Sequence, residues 1–161
     1  MIPKIQVVGY SNSGKTTLVS AMIQEFSKRG FRVSAIKHAH HGYMPDAEGK
    51  DSWKYLQAGA QSAIVACWES ITFHQKLSQE KSLNDLCALI TNVDLIIVEG
   101  YKNSPGQKIE VYRSGFSEAR LDLGRELIGI VSDEHFDESV PQYLPHQITE
   151  LVDFLVAMFF K

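Results

Sequence analysis

Eight residues near the start of the chain have the types and the spacing needed to bind a nucleoside triphosphate. Positions Gly9 to Thr16 read Gly-Tyr-Ser-Asn-Ser-Gly-Lys-Thr and match the pattern G-x-x-x-x-G-K-[ST] in full. In such a phosphate loop (P-loop), glycines permit a tight turn and successive backbone N–H groups point at phosphate oxygens. Lys15 supplies a cation for the β- and γ-phosphates, and the Thr16 hydroxyl is a hard oxygen ligand for Mg²⁺. The predicted nucleotide-binding residues are Gly9, Ser11, Asn12, Ser13, Gly14, Lys15, Thr16 and Thr17.

A magnesium–triphosphate site also needs a carboxylate at the carboxyl end of another strand. Four consecutive branched aliphatic residues, 95–98, are preceded by Asp94 and followed by Glu99. Ligands of an open α/β sheet bind at the carboxyl ends of its strands. Glu99 is therefore the predicted catalytic and metal-site residue, which holds the magnesium shell or orients the attacking water. Asp94 is predicted to be a strand-entry residue at the opposite edge.

Further polar residues follow a second predicted strand. Lys37 and His38 leave its carboxyl end, so we expect them to face phosphate or substrate. With His40 and His41 there are three imidazoles in four residues, which makes a metal site an alternative, although no Cys-x-x-Cys pair or spaced carboxylate accompanies them locally. Asp51 is predicted to begin a helix near the same edge, either as a member of the metal site with Thr16 and Glu99 or as a plain N-cap.

Hydrophobic patterning predicts the elements that must position these residues. The predicted strands cover residues 4–8, 31–36, 62–67, 71–75, 95–98, 108–112 and 127–131. The predicted helices run from the phosphate loop to residue 29 and over residues 51–58, 83–90 and 148–160. The order of strands and helices predicts one α/β domain over residues 1–161, with a P-loop NTPase-type, mostly parallel sheet and helices on both faces.

Composition excludes some partners. The chain has 161 residues, 44% hydrophobic and 22% charged, with a net charge of −3, so no overall positive field favours nucleic acid or an anionic membrane. The apolar stretch 151–160 is shorter than the roughly 20 residues that span a bilayer. Cys67 and Cys87 are predicted to be small core residues rather than a disulfide. With no room for a signal peptide before the first strand, these features predict a cytoplasmic protein.

The last predicted helix predicts self-association. Ile148, Leu151, Val152 and Leu155 share one side with Phe159, and further apolar side chains surround the rest of the helix. A surface helix of a monomer keeps a polar face, so a second copy of the chain is one candidate to cover this helix. A second contact within the chain is the alternative.

Together these motifs resemble one known family, the molybdopterin-guanine dinucleotide biosynthesis adapter proteins (MobB). The resemblance runs in order from about residue 4 to residue 113 and is weaker beyond. It is carried by the P-loop with Thr17-Leu18, by Lys37-His38-x-His40-His41, by Gly49-Lys50-Asp51-Ser52 with Ala58-Gly59-Ala60, by Asp94-Leu-Ile-Ile-Val-Glu99-Gly100-Tyr101-Lys102, and by Lys108-Ile109-Glu110-Val111-x-Arg113.

This resemblance implies a homodimeric protein that binds GTP and Mg²⁺ and hydrolyses GTP weakly. Such proteins assist the guanylyltransferase that joins GMP to molybdopterin, which makes that transferase the implied partner and molybdopterin a further candidate ligand. The chain has no Asn-Lys-x-Asp, the guanine-binding sequence of many GTPases. Asp133 is a candidate base contact, because a carboxylate can accept from the N1 and N2 groups of guanine, and a surface turn is the alternative for this residue.

Two other functions stay open on the sequence alone. A small-molecule kinase would use the same phosphate loop on ATP, with Arg113, Arg120 and Arg125 as candidate lid arginines. A nucleotide-gated metallochaperone would use the histidines at 38, 40 and 41 to carry a metal ion.

Overall fold

The computed structural model describes residues 2–39 and 48–160 of the chain. They belong to two compact units, the first formed by residues 1–38 and 83–161 and the second by residues 39–82. His40 and His41, the candidate metal-binding histidines, lie outside the described residues. The single domain over residues 1–161 stays a prediction.

The elements follow each other in the predicted order. The strands are β1 (Lys4–Val8), β2 (Val33–Lys37), β3 (Ser62–Ala66), β4 (Ile71–Gln75), β5 (Leu95–Glu99), β6 (Lys108–Tyr112), β7 (Leu127–Ser132) and β8 (Gln142–Tyr143). The helices are α1 (Lys15–Lys28), α2 (Asp51–Gln57), α3 (Leu83–Ala88) and α4 (Ile148–Phe159), with a short 3-10 helix at Gly124–Glu126. The two-residue strand β8 and the 3-10 helix were not predicted.

The first unit is built on a six-stranded sheet with the order β2-β5-β1-β6-β7-β8. All of its strand pairings are parallel, which confirms the predicted α/β class with a mostly parallel sheet. Although β2 follows β1 along the chain, β5 lies between them. Because parallel strands end at one edge, the residues that follow β1, β5 and β2 meet there.

Helices cover both faces of this sheet, as predicted. On one face α1 and α4 enclose the main core, in which Met22 of α1, Leu151 of α4 and Ile97 of β5 are fully buried. On the other face Leu83 of α3 packs with Ile96 and Val98. Burial of apolar area on both faces stabilises the sheet and fixes the direction of its strands.

The apolar side chains of α4 pack against the core of the same chain. Leu151, Val152 and Leu155 are buried in the main core. The remaining large apolar residues of the helix, except Met158, pack partly buried against the same core; they include Ile148, Phe154, Val156 and Phe159. The intramolecular alternative is therefore correct for α4, and this helix does not provide the free apolar surface expected for self-association.

The second unit contains α2 and an antiparallel hairpin of β3 and β4. Asp51 is the first helical residue of α2, whereas Lys50 holds the N-cap position predicted for Asp51 or Ser52. Cys67 follows β3 and is exposed, so the prediction that it is a core residue was wrong. The hairpin accounts for this error, because an apolar sequence in a two-stranded sheet leaves part of its surface to solvent.

Among the described residues, none of the helices combines the length and the apolar character that a bilayer crossing requires.

Candidate nucleotide-binding site

The turn between β1 and α1 has the backbone that a phosphate loop requires. Gly9, Asn12 and Gly14 all adopt positive φ angles, of 150°, 62° and 98°. A Cβ atom at Gly9 would lie 2.3 Å from the backbone oxygen of Val111, so only glycine fits there. Leu18 N donates to Gly14 O at 3.0 Å, which starts α1 at the loop and directs the N-terminal end of the helix at this edge.

Ser13 is a further part of this loop. Its side chain is almost fully buried, and its hydroxyl has no hydrogen-bond partner within residues 2–39 and 48–160. Buried polar atoms are normally hydrogen-bonded. The loop therefore holds a polar atom suited to contact with a ligand, at a residue that the motif itself selects.

Three polar side chains from three elements meet beside the loop. The Thr16 hydroxyl at the start of α1 donates to the two carboxylate oxygens of Glu99 at 2.9 and 3.0 Å. Lys37, the last residue of β2, donates to the Thr16 hydroxyl at 3.2 Å and approaches Glu99 Oε1 to 3.2 Å. The strand register explains the meeting, because Glu99 lies opposite Val7 on one side and opposite Lys37 on the other.

This donor set fits a magnesium ion bound with a nucleotide. Hydroxyl and carboxylate oxygens are the hard ligands that Mg²⁺ prefers, and the ion keeps several waters and uses substrate phosphates for the rest. Glu99 is the last residue of a buried strand, and its side chain is largely buried as well. Thr16 would bind the ion, and Glu99 would hold one of its waters, so that the ion would neutralise phosphate charge at this edge.

Lys15 lies in the same charged environment. Its ammonium donates to the backbone oxygen of Tyr10, within the loop. Partial burial lowers the pKa of Lys15, while the nearby charge of Glu99 raises it and that of Lys37 lowers it further. A bound phosphate would favour the charged form of Lys15 and oppose the effect of burial.

The residues after β5 form a feature that the sequence did not predict. Tyr101 has a positive φ of 53°, which is rare for a bulky residue, and its ring stacks on the His38 imidazole with centroids 4.2 Å apart. A Cβ atom at Gly100 would lie 3.0 Å from the Cβ of His38, so glycine permits this approach. His38 N also donates to Glu99 O at 2.9 Å. The stack and this backbone hydrogen bond together hold His38 beside the end of β5.

A cavity of about 250 Å³ lies on the other side of the phosphate loop. Loop and helix residues Ser13, Gly14 and Thr17 form one wall, and Arg113 and Asp133 contribute from the ends of β6 and β7. Asp133 Oδ1 accepts a hydrogen bond from Ser114 N at 2.9 Å, which holds the carboxylate in place. The remaining lining is mostly apolar and includes Leu18, Ala21, Val111, Val131, Pro145 and Ile148. Such a lining suits the flat faces of an aromatic ring system.

Asp94 and Asp51 have partners of their own. Asp94 is at the amino edge, where it pairs with Arg32 through two side-chain contacts and a backbone N–H. Asp51 belongs to the second unit, where its carboxylate lies 3.3 Å from the Lys54 ammonium. Its metal role stays a prediction.

The three arginines expected of a kinase lid are separated. Arg113 lines the cavity beside the loop. Arg120 pairs with the buried carboxylate of Glu110 at 2.5 Å and lies over the Phe136 ring. Arg125 is in the 3-10 helix before β7, at the amino edge of the sheet. The described residues also include no group of three His, Cys, Asp or Glu side chains arranged to hold a metal ion.

The family model and the curated relatives that match this chain are all named for molybdopterin-guanine dinucleotide biosynthesis. The family model described as "Molybdopterin guanine dinucleotide synthesis protein B" matches residues 4–133. The chain is 33% identical over 156 residues to a Haemophilus influenzae protein named molybdopterin-guanine dinucleotide biosynthesis adapter protein, covering 96% of this chain and 88% of the relative. It is 34% identical over 163 residues to an Escherichia coli protein of the same name, covering 97% and 93%.

Solved structures share the fold. A crystal structure of molybdopterin-guanine biosynthesis protein B (mobB) superposes with a TM-score of 0.79 at 25% identity, covering 98% of this chain and 99% of the other. A MobB protein homolog from Bacillus stearothermophilus superposes with a TM-score of 0.74 at 25% identity, covering 97% of both chains. The likeness therefore extends over nearly the whole chain, including the edge that carries the candidate site.

Proposed function

The chain belongs to the molybdopterin guanine dinucleotide synthesis protein B family, and on that premise we propose that it works as a GTP- and Mg²⁺-binding adapter. Its role lies in molybdenum cofactor biosynthesis, as the adapter name of its relatives indicates. In this proposal it assists the guanylyltransferase that joins GMP to molybdopterin. The transferase is its partner, and molybdopterin is a further candidate ligand.

One observation carries the nucleotide part of the proposal. The phosphate loop lies beside a hydroxyl–carboxylate pair, Thr16 and Glu99, whose oxygens are 2.9 Å apart. A triphosphate on the loop would bring its own oxygens to the same edge, and a magnesium ion between them would complete its ligand set. Lys15 and the N-terminal end of α1 add positive charge for the phosphates.

The cavity beside the loop supports guanine as the base. A carboxylate can accept hydrogen bonds from the N1 and N2 groups of guanine, whereas adenine offers a lone pair at N1 that a carboxylate repels. Asp133 is fixed at the cavity wall by Ser114 N. The apolar lining suits the ring faces, and the same cavity is lined by the loop residues Ser13 and Gly14, on which the phosphates would lie.

Hydrolysis is proposed to be weak. Glu99 is the one acid of the described residues that pairs with Thr16 beside the loop. It can orient a water for attack on the terminal phosphate. Of the three arginines that could stabilise the transferring phosphoryl group, Arg120 pairs with Glu110, Arg125 lies at the opposite edge, and Arg113 lines the proposed base cavity. A site with this composition favours binding over fast turnover.

We also propose a cytoplasmic homodimer. A reducing, nucleotide-rich compartment suits an adapter with two free cysteines and a GTP site. One face of the β3–β4 hairpin exposes Ile64, Ile71 and Phe73, and contiguous exposed apolar groups favour association.

Two measurements test the proposal. Nucleotide titration with GTP, GDP and ATP in the presence of Mg²⁺ should give tight GTP binding and weak ATP binding. Dinucleotide formation by the purified transferase should increase when the chain is added. ATP preference with phosphate transfer to a small acceptor would replace this function by that of a kinase.

A further inference from the structure

The Lys37 ammonium contacts both groups of the proposed magnesium site. Its nitrogen is 3.2 Å from the Thr16 hydroxyl and 3.2 Å from Glu99 Oε1. Those two groups are themselves in contact at 2.9 Å. Lys37 thus neutralises the Glu99 carboxylate and lies where a cation shared by Thr16 and Glu99 would lie.

One such place does not hold two cations, because like charges at this distance repel. We propose that the Lys37 ammonium is a counterion that occupies the Mg²⁺ position beside Thr16 and Glu99. It leaves this position when the metal binds together with a nucleotide. This inference rests on the proposed nucleotide function and adds a residue that sets its dependence on metal.

The side chain of Lys37 is suited to such an exchange. It is 59% exposed, whereas the Glu99 side chain is 11% exposed. A flexible four-carbon stem can therefore move toward solvent or toward phosphate while the carboxylate keeps its position. Lys15 is less suited, since its ammonium donates to the backbone oxygen of Tyr10 within the loop.

The exchange has a measurable consequence. In a chelator, Lys37 compensates the charge of Glu99, which otherwise repels the triphosphate, and so preserves nucleotide affinity. With magnesium, Lys37 must first leave its two contacts, which lowers the gain in affinity that the metal brings. Both effects reduce the magnesium enhancement, defined as the dissociation constant in chelator divided by that in Mg²⁺.

The test uses the full chain and a fluorescent GTP analogue, titrated in EDTA and in Mg²⁺. Lys37→Met keeps most of the stem and removes the charge, and it should raise the magnesium enhancement about tenfold. Lys28→Met is the matched control: Lys28 is an exposed lysine at the far end of α1, and its loss should leave the enhancement unchanged. In a Glu99→Gln background, Lys37→Met should have little effect, because the charge that it compensates is gone.

Each contrary result has a distinct meaning. An enhancement that is unchanged or lower in Lys37→Met overturns the inference while the nucleotide function stands. An equal rise in Lys28→Met, or a rise that persists in the Glu99→Gln background, overturns it as well, since a general charge effect would then explain the change. A wild-type chain that binds no nucleotide overturns the proposed function and this inference with it.

Discussion

The two ends of β5 carry the same chemistry and have different surroundings. Asp94 precedes the strand and Glu99 ends it, and four buried aliphatic residues separate them. Asp94 is held by Arg32 through side-chain contacts of 2.8 and 3.1 Å and a backbone N–H at 2.8 Å. Glu99 faces a hydroxyl and an exposed lysine. A carboxylate at a strand end thus takes its role from the edge of the sheet on which it lies.

The physical difference concerns what each acid can still bind. Hydrogen bonds from Arg32 lower the pKa of Asp94 to about 2, so its charge is satisfied by a partner that stays ionised. The partners of Glu99 are groups that a metal–nucleotide complex can engage or displace. Four substitutions test this difference between the two ends of β5.

The largest expected effect on binding weakens the nucleotide site at the Glu99 end as a whole. Lys15→Ala should lower triphosphate affinity tenfold or more, because a charge-assisted contact to phosphate contributes roughly 1.5–3 kcal/mol. The ammonium lies in the loop and not in the core, so the circular dichroism spectrum should stay normal. Calorimetry measures the affinity, and an unchanged value in a folded variant would disprove the P-loop assignment.

The next effect is on the rate of GTP hydrolysis, which is expected to depend on Glu99. Glu99→Gln keeps the shape of the side chain but removes the charge that holds metal-bound water, so weak GTP hydrolysis should fall roughly 10²-fold or more. Single-turnover phosphate release at saturating GTP and Mg²⁺ measures it. If the rate is unchanged, then another group orients the water.

A smaller effect is expected at Asp133, which in our proposal contacts the base and not the phosphates. Asp133→Asn replaces an oxygen that accepts from guanine with an amide, and should reduce the GTP over ATP preference about tenfold. Affinity for inorganic triphosphate should stay the same, which gives the control. A preference that is retained would remove Asp133 from the base site.

The smallest effect is expected at the other end of the strand. Asp94→Asn should lower thermal stability slightly, since the Arg32 pair is partly exposed. The folded pKa of Asp94, about 2, lies below its ordinary value of 3.8, so the stabilisation is present above pH 3.8 and is lost as the pH falls through 2. The melting temperatures of variant and wild type should therefore converge at acid pH. A constant difference down to pH 2 would show that this ion pair is not its origin.

Much of this site followed from local sequence. The motif at Gly9–Thr16 predicts the phosphate loop, and the aliphatic run before Glu99 predicts a strand, because tight turns and buried strands have strong local signals. The insertion of β5 between β1 and β2 has no local signal, although it explains why Lys37 reaches Glu99. The left-handed backbone of Tyr101 is a tertiary effect, since stacking on His38 accompanies a conformation that tyrosine rarely adopts alone.

Two errors have related causes. The apolar run around Cys67 predicts a core residue, but among the described strands β3 pairs with β4 alone, and the thiol remains exposed. The apolar sides of α4 suggest an unpartnered surface, but the sheet and α1 cover them. In both cases the number of layers around an element decides its burial, and that number is a property of the whole fold.

The most direct test of the proposed magnesium site at Glu99 measures the magnesium enhancement of GTP binding in wild type, Glu99→Gln and Asp94→Asn side by side. Calorimetric titrations in EDTA and in Mg²⁺ give the ratio for each protein. We expect a lower enhancement in Glu99→Gln and the wild-type value in Asp94→Asn, because only the carboxyl end of β5 meets Thr16 and the phosphate loop. A loss of the enhancement in Asp94→Asn, with Glu99→Gln behaving as wild type, would contradict this expectation.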